Sequence, residues 1–142
     1  MSASTDIADI IALLDGVNNA YSDRDPVGAV AADAPDATIF DLSPPLQRAR
    51  NRDDVAAWLE NWKGPVEQEF RNLQVHAEGG IAFVHGFAKV SATTLDGQHA
   101  KWWMRYTAGL RRENGNWKIV HEHSSVPFYM DGSFRAAIDL EP

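Results

Sequence analysis

Three turn dipeptides, Gly79-Gly80, Asp96-Gly97 and Asn114-Gly115, cut the second half of the chain into long stretches rich in β-branched and aromatic residues. Such pairs supply the positive φ that tight hairpins need, so they separate strands rather than helices. From residue 66 onward the pattern therefore predicts four antiparallel strands in a meander. A sheet of that length has an apolar face to cover, and the cover has to come from the first half of the chain.

That half reads as helical. Ile7, Ile10, Ile11, Leu14, Val17 and Tyr21 recur at helical spacing, which predicts a helix over about 5–22, with Ser4 or Thr5 as cap and Asp6 at its positive end. Asp25-Pro26 opens a second helix, which Pro35 limits to a turn or two. Ala37-Thr38-Ile39-Phe40-Asp41 is β-prone, and Ser43-Pro44-Pro45 ends it, leaving Asp41 at the strand end. Val55, Trp58, Leu59 and Trp62 mark a third helix, opened by Asn51 and Asp53-Asp54 and stopped by Gly64-Pro65. The expectation is an α+β fold in which three N-terminal helices cover one face of a curved antiparallel sheet, which curls into a half-open barrel with a pocket in its mouth. At 142 residues, with no repeat or linker, it is expected as one domain, core about 5–130 and tail 131–142.

Charge narrows the partners. With 13 basic against 20 acidic residues and a net charge of −7, the chain lacks the basic surface that holds nucleic acid or an anionic membrane. The absence of cysteine excludes disulfides, thiolate metal sites and a Cys nucleophile. No run approaches a membrane span, and Met1 to Asp9 lacks the basic start of a leader, so a cytoplasmic protein is expected. There is no phosphate loop, dinucleotide turn or Gly-x-Ser-x-Gly, and no cofactor is expected.

Several residues could carry chemistry. His121 and His123 lie two apart on the last strand and share a face with Trp117, Ile119 and Ser125, and the alternation makes this the covered face. An imidazole there could accept or donate a proton near neutral pH, or be a structural histidine bonded to backbone. A His-x-His strand could also chelate a metal, but the nearest further ligands, Asp41 and His85, are on other elements, and no metal is expected. Trp103, Arg105 and Thr107 alternate with Trp102, Met104 and Tyr106; periodicity leaves open which set faces the pocket. Inward, Arg105 would steady negative charge on a ligand; outward, it is a surface or dimer-face cation. Phe40, His85, Trp103, and Trp58 with Trp62 one turn on, are the candidates to line a pocket, the two helix-three tryptophans being core in the alternative.

The element order, Asp36-Ala37-Thr38-Ile39-Phe40-Asp41, Trp58, Trp103-Met104-Arg105-Tyr106-Thr107 and above all the strand from Gly115 to Phe128 resemble the SnoaL-like, ketosteroid-isomerase-like branch of the nuclear transport factor 2 superfamily. The resemblance covers about residues 5–130. It implies a conical cavity, commonly a homodimer, and activities ranging from isomerases, cyclases and dehydratases to binding and assembly domains without catalysis. Asp41 falls where the isomerases place their catalytic carboxylate, or it simply accepts backbone N–H groups in the turn that follows. The isomerases' oxyanion donors are missing, with Val17 and Gly109 at about those positions, which disfavours steroid isomerisation; Tyr21, one turn on, reads as core. The leading expectation is a cofactor-independent acid–base enzyme on a small apolar carbonyl compound. In it Asp41 accepts the proton, His123 or His121 donates, and Arg105 steadies charge. The alternative is a ligand-binding or assembly module.

Overall fold

The computed structural model describes residues 3–142; Met1 and Ser2, part of the segment read above for a leader, lie outside them. Helix α1 covers Ala3–Ser22 and buries Ile10, Leu14 and Val17, the stripe its spacing announced. The Asp25 carboxylate accepts the Gly28 N–H and caps the short helix α2, Pro26–Val30. Strand β1, Asp33–Phe40, follows, then α3, Arg52–Leu59, capped by Asn51 accepting from the Asp54 N–H at 2.9 Å. Four long strands complete the fold: β2, Trp62–Glu78; β3, Ile81–Thr94; β4, His99–Glu113; and β5, Asn116–Ser125.

The sheet order is β1-β5-β4-β3-β2. Strands β2 to β5 form the expected antiparallel meander, with helices packed on one face. The expectation of a wholly antiparallel sheet needs one correction, because β1 pairs with β5 in parallel. A parallel pair needs a long crossover, and here α3 and three strands intervene between the two partners. As an edge strand β1 also tolerates Pro35, which would cost a ladder bond in the sheet interior.

Trp62 is a second correction. It opens β2, paired with Thr94, rather than closing α3, which ends at Leu59 with Glu60 as its cap. Trp62 and Lys63 pair with Thr94 and Thr93 of β3, which takes them out of the helix ahead of Gly64, itself at φ 76 before Pro65. Arg24 clamps this junction, donating to the carbonyls of Leu59, Trp62 and Gly64 at 2.9, 3.2 and 2.7 Å.

The third departure decides what the site contains. Along β5, Trp117 and Ile119 point into the helix-covered core, as alternation requires. Between them and the strand end the pairing slips: Leu110 faces Ile119, but Gly109 faces His121, leaving Val120 as an extra residue. A bulge of one residue inverts the alternation beyond it. Glu122 and Ser124 therefore turn inward, and His121 and His123 turn to the outer face.

Candidate functional site

A cavity of about 280 Å³ lies between α1, α3 and the inner face of the sheet. Its aromatic wall runs through four rings: Tyr21 meets Trp58 edge-on at 6.0 Å, Trp58 lies 5.9 Å from Trp62, and Trp62 lies 6.0 Å from Trp102. Leu14, Val17, Val66, Phe70 and Met104 supply aliphatic and aromatic surface below them. Asp41, Leu42, Ser43, Arg48 and Asp54 form the mouth.

One polar cluster is built into this apolar chamber. Arg50 reaches in from the loop before α3 and grips Asp33 with two hydrogen bonds, Nε to Oδ2 at 2.9 Å and Nη2 to Oδ1 at 2.7 Å. Its Nη1 donates to Glu122 Oε1 at 2.6 Å, and the Tyr106 hydroxyl donates to the other Glu122 oxygen. A fork of this kind is the geometry in which a guanidinium best repays its burial. Burial works against charge on Arg50, yet Glu122 and Asp33 more than offset it and hold the guanidinium above its ordinary range. Burial raises the Asp33 carboxyl against the pull of Arg50. Burial, then the Glu122 charge, pushes the Tyr106 hydroxyl well above its ordinary value. Tyr21 is pushed up to about 12, mainly by burial, so it is a protonated hydroxyl at neutral pH.

The mouth and this cluster belong to one stretch of chain. Ile39 and Arg48 exchange backbone hydrogen bonds of 2.9 and 3.0 Å, closing residues 40–47 into a loop. Arg48 donates to the Pro44 carbonyl at 2.6 Å, and its Nε lies 3.9 Å from Asp41. Two residues further on, Arg50 is anchored in the ionic cluster.

The residues singled out from the sequence divide between two faces. Asp41, Trp58 and Trp62 line the cavity. Asp41 stands at the mouth with 44% of its side chain exposed, and its carboxylate accepts the Leu42 N–H at 3.0 Å. His121, His123, Arg105, Trp103, Phe40 and His85 stand on the outer face. The expectation that the histidine face is the covered one is corrected by the Val120 bulge. His121 Nδ1 lies 2.7 Å from the Thr38 carbonyl oxygen, and Phe40 packs edge-on against both histidine rings at 4.6 and 5.4 Å. Arg105 donates to Ser125 Oγ at 2.9 Å, and Trp103 lies under the Arg71 guanidinium at 4.3 Å. His85 joins an exposed stack with Phe83 and His76. Of the open pair of faces on β4, Trp102, Met104 and Tyr106 face the cavity. Gly109 points outward toward Val120 and His121, so an acid there would not reach the chamber.

Sequence reasoning missed Asp33, Arg50, Tyr106 and Glu122, and it assigned Tyr21 to the core. Glu122 was hidden by the bulge, and the Arg50 partners lie 17 and 72 residues away, with no spacing rule to join them. Among the described residues no three of His, Asp and Glu are grouped so as to hold a metal ion. Nor is any helix among them long and apolar enough to cross a membrane.

Helices wrapped over a curved sheet around one apolar chamber define a pocketed protein of the nuclear transport factor 2-like class. Within that class the chain belongs to the SnoaL-like domain family, whose model matches residues 10–129. It is similar to an NTF2-like protein of unknown function from Pseudomonas putida KT2440, with 33% identity, TM-score 0.82, and coverage of 99% of this chain and 100% of that one. At the level of fold it is similar to a putative aromatic ring hydroxylase from Novosphingobium aromaticivorans (18% identity, TM-score 0.74, 88% and 91% of the two chains). The association domain of C. elegans CaMKII is another such neighbour (16% identity, TM-score 0.70, 87% and 97%). No curated protein matches the chain.

Proposed function

We propose that the chain binds a small, largely apolar molecule in the cavity between α1, α3 and the inner sheet face. The observation that carries this reading is the division of labour in the wall. The buried ionic groups, Asp33, Arg50, Glu122 and Tyr106, are bonded to one another, whereas four aromatic rings border open space. A mostly apolar chamber with a few placed polar groups is the usual form of a small-molecule site. Because Trp58, Trp62 and Trp102 line it, titration with naphthalene should give a saturable change in tryptophan fluorescence. Val17→Phe, which fills the cavity, should abolish the change while leaving the circular dichroism spectrum intact. Absence of a saturable signal in the unaltered protein would refute the reading.

A second reading, acid–base catalysis on a carbonyl compound, is favoured by Asp41, whose carboxylate opens onto the cavity mouth. The histidines and Arg105 are separated from it by the sheet, so the proton acceptor is Asp41 and the donor is the Tyr21 hydroxyl. Asp41→Asn should then lower kcat by 10²-fold or more, on the order of general-base contributions, with little change in KM. Unchanged turnover would remove Asp41 from the mechanism. The homodimer expected above is proposed to form through the outer sheet face, where Phe40 and Phe83 are exposed.

A further inference from the structure

From the charge and ring arrangement of the cavity we infer that its ligand is an organic cation, a tertiary or quaternary ammonium group on an apolar body; this rests on the binding reading above. Four carboxylates surround the chamber: Asp41, Asp54 and Glu122 in its wall, and Asp33 behind it through Arg50. Only two guanidinium groups oppose them. Arg50 is consumed by Asp33 and Glu122, and Arg48 is turned to Pro44, Ser43 and Asp41. Asp54 has no Lys or Arg partner among the described residues; its carboxylate accepts only from its neighbour Asn51, at 2.8 Å.

Asp54 and Trp58 are one turn apart on α3, and both line the cavity. Asp54, exposed at the mouth, thus adds to the rim of the chamber, whose wall is formed by Tyr21, Trp58, Trp62 and Trp102, a carboxylate without a cationic partner among the described residues. Neither cavity arginine occupies a ring face, since the cation–ring contacts of the described residues involve Trp103, Trp117 and Tyr129. Ring faces carry negative potential, and an alkylammonium group is held by them most strongly where water is scarce. An anionic ligand would instead meet unbalanced carboxylates. A strongly hydrated inorganic cation would need several oxygen ligands converging on one point to replace its water shell, and among the described residues no three carboxylates or imidazoles are so grouped.

The test compares phenyltrimethylammonium with tert-butylbenzene, which share shape and differ in charge, by tryptophan fluorescence on the whole chain. The cation should bind about tenfold more tightly than the hydrocarbon. Asp54→Asn should shrink that preference, and Trp58→Leu should weaken the cation more than the hydrocarbon. Melting curves would identify a variant that fails to fold, and the comparison in the unaltered protein does not depend on either variant. Equal or tighter binding of tert-butylbenzene would overturn this inference and leave the cavity-binding reading standing. Failure of both probes to bind would overturn the two together.

Discussion

Arg50 shows how much of this site depends on single side chains. With only 12% of its side chain exposed, it bonds to both Asp33 and Glu122, which are 7% and 11% exposed. Removing one member of such a buried group leaves its partners charged in a poorly solvated place, at a cost of about 3–5 kcal/mol. Arg50→Leu should therefore lose stability on that scale in urea melts, whereas Glu122→Gln, which keeps the shape and one acceptor oxygen and leaves Arg50 paired with Asp33, should lose much less. Tyr21 gives a residue-scale prediction in pH. Its hydroxyl titrates near 10 unfolded and at about 12 folded, so between those values the unfolded chain releases a proton that the folded chain keeps. Stability then falls as pH rises through that window. Tyr21→Phe should make the decline shallower, and an unchanged slope would contradict the burial of the hydroxyl.

At the scale of elements, the turn dipeptides, the helical stripe and the Asp25-Pro26 cap were enough to place the β2–β5 meander, α1 and α2, because hairpin chemistry, 3.6-residue periodicity and capping are local. The site was less legible, because faces are assigned by counting in twos and one inserted residue defeats the count. Nothing in Ile119-Val120-His121 announces a bulge; it is set by how β5 meets β4. A second bulge, between Arg71 and Gln74 in β2, with Asn72 at φ 56, presses against Gly86 on β3. A Cβ at Gly86 would lie 3.0 Å from the Leu73 Cα and 3.2 Å from two carbonyl oxygens, none of which can move aside cheaply. At Gly109 the nearest atoms would be 3.8 and 3.9 Å away, ordinary contact. Gly86→Ala should thus cost about 1–3 kcal/mol and Gly109→Ala close to nothing, as compared by thermal melts.

Over the whole molecule the two sheet faces have opposite characters. The inner one is sealed by helices around the chamber, and the outer one carries Phe40, Phe83, His76, His85 and His123 into solvent. If two copies pair there, Phe83→Glu should convert a dimer to a monomer by light scattering without altering ligand binding, since Phe83 is on the far side of the sheet from the cavity. A monomer before substitution would dismiss the interface. The loop from Phe40 to Arg50 joins this picture to evolution. Its two ends are pinned, one by the Ile39–Arg48 backbone pair and the other by the Arg50 fork, while the residues between carry little of the fold's weight. Substitutions at Leu42 or Ser43, both exposed, are thus cheap experiments for natural selection. A lineage could retune what enters such a chamber many times over without rebuilding the chamber itself.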